Sequence, residues 1–332
     1  MPGPEVGFVA WFHHGDEETV RHTLSLVDEL GVRRLRTGFS WADYERLDVD
    51  GTAWFDFLMH DALGDRIRSG QLDVLFNFLY TPWKHARVKG NGQRNSASPP
   101  RRLSSYARFI ARMIDRYGEL IGDIELLNEM DIFQEWDREF DWHWHKLART
   151  LRHAAVAVHR RGRRVVLGGT TRAEPTLLEC LAGPRWRLRN ALRHVDVVGL
   201  HGFPGTWDTS VTHAETWRWR GWEVEVELMR EACRRLRREV PIWVTETGSS
   251  RFDDPSGQGQ LEAFCGSYEI LRALGVQRMY WYGFTDLADH LPTINHVIGG
   301  ETREANPYSH SLGLGTPLRG YMKSERRRLF GS

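Results

Sequence analysis

Two glutamates in the sequence stand where short apolar runs end. Asn128 and Glu129 come after residues 124–127, and Glu246 comes after residues 241–245. Apolar runs of this length, bounded by polar or turn-forming residues, are typical of buried strands. If the two strand ends meet, one carboxyl group can protonate a leaving oxygen while the other attacks the carbon that bears it, as in the cleavage of a glycosidic bond. Glu129 and Glu246 are therefore the candidate catalytic residues.

Strand-like and helical patterns alternate along the chain and would position these glutamates. Residues 17–30, for example, carry apolar side chains at helical spacing between a possible N-cap, Asp16, and a terminating glycine, Gly31. Strands are predicted over residues 7–12, 32–39, 72–78, 123–128, 164–168, 195–200, 242–245 and 278–282. Helices are predicted over residues 17–30, 53–69, 103–117, 140–161, 175–193, 222–239, 260–274 and 318–330.

Strands that alternate with helices form parallel crossovers, and a chain of 332 residues has the expected length for eight such units in one closed (β/α)8 TIM barrel. An open, doubly wound sheet is the alternative, but residues 13–16 after the first strand lack a glycine-rich phosphate loop. Neither a repeat nor a linker suggests a second domain. We therefore predict one catalytic domain over residues 1–332, with an irregular, loop-rich C-terminal segment over about 286–332.

The composition argues against several classes of partner. The formal net charge of +1 provides no overall field for nucleic acid or a membrane surface. Cys180, Cys233 and Cys265 show no paired spacing, so neither a disulfide framework nor a zinc motif is expected. We see no secretory signal and no membrane-spanning apolar run. We expect a cytoplasmic protein with no metal and no organic cofactor, and its oligomeric state stays open.

In a (β/α)8 barrel the C-terminal ends of the strands line one mouth. Polar and aromatic residues at these positions are further candidates for substrate binding: His14, Arg36, Trp83, Asn128, His201, Trp281 and Tyr282. His13, His14 and His201 could also ligate a metal, but His13 and His14 are adjacent and no further ligand follows at the usual spacing. A hydrogen bond to a substrate hydroxyl, or a place in the core, is the favoured interpretation of these histidines.

The stretches that end in Glu129 and Glu246 resemble the signature of clan A glycoside hydrolases, which are retaining (β/α)8 enzymes. Within the clan the chain is most similar to family 39 β-xylosidases and family 5 enzymes. The resemblance implies that Glu129 is the acid/base and Glu246 the nucleophile. It also implies that Asn128 hydrogen-bonds the sugar 2-hydroxyl and that Arg36 keeps the nucleophile ionised.

Three further positions are interpreted through the same resemblance. His201 is similar to the strand-six histidine of the clan, and Trp281 resembles the strand-eight tryptophan that floors the subsite for the cleaved sugar. Phe203 stands where several families have tyrosine. Either the nucleophile lacks that hydroxyl contact here, or Tyr282 supplies it.

The resulting hypothesis is a retaining hydrolase that cleaves β-glycosidic bonds in oligosaccharides or glycosides by double displacement. A transglycosylase would use the same residues with a sugar as acceptor, and a non-catalytic barrel that binds carbohydrate or protein is the third possibility. Two features have plainer interpretations. Glu125 is expected to point away from the barrel axis into an ion pair with a helix. The tryptophans after the two strand ends either stack on sugar or pack helices on the barrel: Trp136, Trp142, Trp144, Trp207, Trp217, Trp219 and Trp222.

Overall fold

The computed structural model shows a closed barrel of eight parallel strands. Each strand pairs with the next one along the chain, and the eighth pairs with the first. The strands are β1 (Glu5–Val9), β2 (Arg34–Ser40), β3 (Asp73–Leu79), β4 (Ile124–Leu126), β5 (Val165–Thr170), β6 (Val197–Gly202), β7 (Ile242–Thr247) and β8 (Arg278–Tyr282). The predicted (β/α)8 TIM barrel is confirmed. The structure describes residues 3–12, 14–46, 51–90, 92, 94–183, 190–204, 220–252, 254–286, 295–298, 301–304 and 311–331.

Helices follow the strands and form the outer layer. They are α1 (Glu17–Leu30), α2 (Trp41–Tyr44), α3 (Gly51–Asp56), α4 (Gly64–Arg68), α5 (Ser104–Tyr117), α6 (His145–His159), α7 (Pro175–Ala182), α8 (Trp222–Arg235), α9 (Gln258–Ala273), α10 (Thr316–Ser324) and α11 (Arg326–Phe330). Among the described residues, no helix combines the length and the apolar character that crossing a membrane requires.

The first long helix forms where its end signals predict. The Asp16 side chain accepts a hydrogen bond from Thr19 N at 3.1 Å and caps α1, and Gly31 ends the helix in the left-handed conformation with φ 71°. The next predicted helix, over residues 53–69, is instead divided into α3, a π-helical turn (Phe57–Ala62) and α4. A π-helical turn holds more residues than an α-helical one, and its Leu58 and Met59 are both fully buried.

The C-terminal segment supplies the eighth helical position of the barrel. Phe330 of α11 lies against Phe8 of β1, with ring centroids 6.4 Å apart, and Tyr321 of α10 lies 6.2 Å from Phe264 of α9. Before these helices, β9 (Asn295–Ile298) and β10 (Glu301–Glu304) form an antiparallel pair. The segment predicted to be irregular from about residue 286 therefore also contains a hairpin.

The barrel interior has its own apolar cluster, distinct from the larger core between strands and helices. Its members come from six different strands: Val9, Leu75, Val166, Val197, Trp243 and Tyr280. Because side chains alternate between the two faces of a strand, residues two or four positions further along also point inward. On this basis Asn77, His201, Thr245 and Tyr282 face the interior near the C-terminal mouth.

Ion pairs close the opposite end of the barrel. Arg278 lies 3.2 Å from Glu5, 3.2 Å from Asp73 and 3.8 Å from Asp123, and its guanidinium lies 4.2 Å from the centroid of the Trp243 ring. All three carboxylates stand at or just before the beginning of a strand. The candidate catalytic groups therefore have access to substrate at the C-terminal end.

Candidate active site

The turn after β4 carries Asn128 and Glu129 and is strained. The strand ends at Leu126, and both Leu127 (φ 63°) and Glu129 (φ 36°) have positive φ angles that non-glycine residues rarely adopt. Such a conformation costs about 1–3 kcal/mol per residue and persists only where the surrounding structure enforces it. The strain is therefore a local indication of a functional site.

Hydrogen bonds from the two neighbouring strands enforce this turn. Leu127 N donates to Phe78 O at 2.8 Å, and Asn77 Nδ2 donates to Leu127 O at 2.6 Å, both from the side of β3. On the side of β5, Glu129 N donates to Gly169 O at 2.9 Å. The position of Glu129 thus depends on both adjacent strands.

An irregular register turns Glu246 into the barrel. Between β6 and β7, Leu200 pairs with Val244 but His201 pairs with Glu246, so β7 contains one extra residue. A bulge of this kind re-aims the side chain that follows it. Thr245 and Glu246 consequently both reach partners in the interior, whereas strict alternation would turn one of them toward the helices.

Arg36 connects the two candidate strand ends. Its Nη1 donates to Glu246 Oε2 at 2.7 Å and its Nη2 to Asn128 Oδ1 at 2.8 Å, while its Nε donates to Glu125 Oε2 at 2.6 Å. The guanidinium is fully buried and lies 5.2 Å from the centroid of the Trp11 ring. Burial alone would lower the pKa of Arg36, but the facing Glu125 and Glu246 carboxylates outweigh it and raise this pKa, so the guanidinium stays charged.

Glu125 belongs to this network, so the prediction that it points toward a helix is wrong. Its neighbours Ile124 and Leu126 pack in the core between strands and helices, and the side chain between them must therefore point inward. Its Oε1 also accepts a hydrogen bond from Gly169 N at 3.3 Å. Glu125 is fully buried and has no access to the mouth.

His201 is the neighbour of the other catalytic candidate. Its Nδ1 lies 2.9 Å from Glu129 Oε1 and its Nε2 lies 3.1 Å from Thr245 Oγ1. Burial lowers the pKa of His201 to about 4, so the imidazole is neutral near pH 7. A neutral imidazole donates through one nitrogen and accepts through the other, which matches the two contacts.

A carboxyl group beside a neutral histidine remains protonated more readily than one beside an arginine. Burial raises the pKa of Glu129 to about 8, the nearby Asp131 carboxylate adds to the effect, and Arg36 opposes it. Burial also raises the pKa of Glu246, while His201 and Arg36 act in the other direction. Arg36 thus acts on Glu246 in the predicted direction, but against burial. The direct ion pair marks Glu246 as the group held as an anion.

Glu129 and Glu246 face each other closely. One oxygen of each, together with a nitrogen of His201, lies within 4.8 Å of the others. Such a trio could in principle surround a metal ion. However, both ring nitrogens of His201 already contact Thr245 and Glu129, so ligation would break one of these contacts. A proton donor facing an anion is the arrangement that the contacts favour.

The end of β8 presents Tyr282, and not Trp281, to the site. Trp281 is fully buried in the core outside the barrel and meets Phe264 of α9 edge to face at 5.2 Å. The prediction that Trp281 floors a sugar subsite is therefore wrong, because a shift of one residue along a strand exchanges the two faces. Burial raises the pKa of Tyr282, and the Glu246 carboxylate raises it further, which places this phenol near the nucleophile candidate. Its ring meets Phe203 at 6.4 Å.

Two other predicted binding residues have no recorded contact with the glutamate pair. His14 lies against Trp54, with ring centroids 5.7 Å apart. Trp83, in the loop after β3, is 50% exposed. Their roles in substrate binding stay predictions. His13 lies outside the described residues.

The tryptophans after the strand ends have different environments. Trp136 and Trp144 are buried, and Trp222 donates through Nε1 to Ser267 Oγ at 3.0 Å as part of helix packing. Trp142 is 63% exposed, with the Arg138 guanidinium 5.1 Å from its ring centroid. Trp207, Trp217 and Trp219 lie outside the described residues.

The sequence interpretation missed three residues that shape the site: Trp11, Glu125 and Gly169. Trp11 and Glu125 contact Arg36, and Gly169 packs directly against His201. A signal for the last was available, because a glycine pair inside a strand often marks a bulge or a close approach. Gly168 and Gly169 lie where the register between β5 and β6 shifts.

Comparisons with known proteins give fold-level similarity. No protein-family model matches the sequence, and no curated protein matches it. Among solved structures, a family 39 glycoside hydrolase from Bacteroides cellulosilyticus WH2 aligns with 99% of this chain and 64% of its own, with a TM-score of 0.64 and 14% identity. A monomeric β-xylosidase from Caulobacter crescentus CB15 aligns with 97% of this chain and 68% of its own, with a TM-score of 0.64 and 18% identity.

A GH5_18 structure from Bifidobacterium longum subsp. infantis aligns with all of this chain and 80% of its own, with a TM-score of 0.59 and 15% identity. The fold is that of clan A glycoside hydrolases. The predicted resemblance to families 39 and 5 is confirmed at this level. The chain spans less than two thirds of the length of the Bacteroides protein.

Replacing Gly169 with alanine tests the packing on which the site depends. An alanine Cβ here would lie 2.1 Å from His201 Cδ2 and 2.0–3.0 Å is a range that real contacts essentially never show. We expect Gly169→Ala to lower the free energy of unfolding by about 1–3 kcal/mol, because the imidazole must move. Chemical denaturation measures this change.

Gly266→Ala in the exposed part of α9 is the matched control. Nothing lies within 4 Å of its added Cβ, and alanine is the better helix former by about 1 kcal/mol. The control should be at least as stable as the parent protein. A Gly169→Ala protein of unchanged stability would contradict the close approach of His201.

Proposed function

We propose that this protein is a retaining glycoside hydrolase that cleaves β-glycosidic bonds in oligosaccharides or glycosides by double displacement. The observation that carries the proposal is the facing pair, with oxygens of Glu129 and Glu246 within 4.8 Å. Retaining enzymes hold their two carboxyl groups about 5–5.5 Å apart, whereas inverting enzymes need about 6.5–9.5 Å to admit a water molecule. The clan A fold of the barrel supports the same assignment.

In the first step Glu246 attacks the anomeric carbon and forms a glycosyl ester. The bond to the leaving oxygen breaks, and Glu129 donates its proton to that oxygen. In the second step Glu129, now a carboxylate, removes a proton from water, which attacks the anomeric carbon and releases Glu246. Arg36 stabilises Glu246 as an anion before attack and after release.

Asn128 is the proposed ligand of the sugar ring. Its Oδ1 already accepts from Arg36, which orients the amide so that the Nδ2 group is the part left to donate to a substrate hydroxyl. The same ion pair that holds the nucleophile thus fixes the amide. Asn128 would hydrogen-bond the 2-hydroxyl of the sugar being transferred.

Exposed aromatic rings surround the acid/base side of the mouth. Phe133, four residues after Glu129, is 49% exposed, and Trp142 on the same loop is 63% exposed. Aromatic faces bind the C–H surfaces of sugars, so these rings suit the leaving part of a glycoside. The loops after β3 and β4 are joined by Tyr80 Oη, which donates to Glu135 at 3.2 Å.

The identity of the sugar is left open by these features. Structures similar in fold include a β-xylosidase, an exo-β-1,4-mannosidase and a β-galactosidase. A panel of aryl β-glycosides would identify the preferred sugar. Analysis of the products would separate hydrolysis from transfer to a second sugar, for which the same two glutamates would serve.

Removing each glutamate should give different chemistry. Glu246→Ala should abolish turnover of aryl β-glycosides, and azide should restore it with formation of the inverted glycosyl azide, because azide then replaces the nucleophile. Glu129→Ala should lose most activity on poor leaving groups, and with activated substrates azide should give the product of retained configuration. Product configuration by NMR measures both. Wild-type rates in both variants would contradict the assignment.

The pH dependence should report the state of Glu129. The acid form is required for the first step, so kcat/KM should fall as the pH rises through the Glu129 pKa of about 8. With an activated leaving group that needs no proton, Glu129→Gln should lose this basic limb. A limb that persists unchanged in Glu129→Gln would assign it to another group.

A further inference from the structure

Glu125 is a buried carboxylate that the proposed reaction does not use. It lies inside the barrel below the facing glutamates, is fully buried, and accepts from Arg36 Nε at 2.6 Å and from Gly169 N at 3.3 Å. With no exposed surface it cannot touch a substrate. Isolated buried carboxylates are costly, so a paired one at this place calls for an explanation.

The geometry of Arg36 provides that explanation. A guanidinium is planar and rigid, and here Nε, Nη1 and Nη2 each donate to a different partner. Glu246 and Asn128 occupy the two terminal nitrogens on the mouth side. Glu125 occupies Nε on the opposite side and so fixes the rotation of the group about its side-chain axis.

We propose that Glu125 is a positioning residue: it holds the Arg36 guanidinium in the one orientation that places Glu246 and Asn128 for attack on the sugar. The role in attack rests on the proposed function, whereas the orientation of Arg36 does not. The contact to Arg36 is charge-assisted and short, and the contact to Gly169 N is long, so Glu125 acts chiefly on the nucleophile side.

Glu225 offers a matched control elsewhere in the barrel. It is also fully buried, and it accepts from one arginine, Arg220 Nε at 2.9 Å, and one backbone amide, Ala173 N at 2.6 Å. Glu225 lies on α8 and has no recorded contact with Arg36 or either catalytic glutamate. Glu225→Gln therefore reproduces the loss of a buried, paired carboxylate without disturbing the proposed site.

Kinetics of Glu125→Gln and Glu225→Gln test the proposal. We expect Glu125→Gln to lower kcat about 10²-fold, the loss typical of misplaced catalytic groups, and Glu225→Gln to stay within about twofold of wild type at a temperature where both are folded. Because Glu125 acts on the nucleophile side, the loss should be the same for 2,4-dinitrophenyl and phenyl glycosides. In Glu129→Gln the loss should grow as the leaving group becomes poorer.

Two kinetic outcomes would overturn the proposal. One is a wild-type kcat in Glu125→Gln. The other is an equal loss of kcat in Glu125→Gln and Glu225→Gln that follows their melting temperatures, since this would show a role in stability alone. A loss that grows with the pKa of the leaving group would place the action of Glu125 on Glu129 and would also contradict the proposal.

A second measurement needs no turnover. Buried guanidinium protons exchange slowly with water, so Arg36 should give persistent 15N–1H side-chain signals, which disappear in Arg36→Lys. These signals should remain in Glu225→Gln and shift or broaden in Glu125→Gln. If no glycoside is cleaved by the wild-type protein, the proposed function fails, while these signals still decide the orientation of Arg36. Unchanged signals in Glu125→Gln would overturn the inference.

Discussion

The buried guanidinium of Arg36 is the interaction on which the mouth of the barrel depends. It reaches from β2 to groups on or after β4 and β7, and therefore fixes three parts of the ring relative to one another. A charge inside a protein is stable only when paired and hydrogen-bonded. The two flanking carboxylates, Glu125 and Glu246, meet this need, and the same pairing keeps Glu246 from taking up a proton as readily as its burial would favour.

The site is built from departures from regular barrel geometry. The bulge in β7 turns Glu246 inward, the turn after β4 holds Leu127 and Glu129 at positive φ, and the register shift in β5 lets Gly169 lie against His201. Each departure would be unfavourable alone. They persist because the neighbouring strands supply hydrogen bonds to the strained backbone, as Gly169 O does for Glu129 N.

The sequence predicts what depends on local pattern and fails where one residue of register matters. Helix α1 has the predicted bounds, because Asp16 and Gly31 are strong end signals, and all eight strands are found. Glu125 and Trp281 were assigned to the wrong faces. A strand shifted by one residue exchanges its faces, and the bulges that set the register arise from contacts between strands far apart in the chain. The chemical roles of Glu129 and Glu246 stay predictions.

The two facing glutamates differ in their neighbours and not in their own chemistry. Glu246 bonds to a permanent cation, whereas Glu129 bonds to a histidine that burial keeps neutral and lies near a further carboxylate, Asp131. If His201 were charged, it would favour the ionised form of Glu129 and remove its ability to donate a proton. The burial of His201 against Gly169 is therefore part of the electrostatics of the pair, because it separates a proton donor from an anion within 4.8 Å.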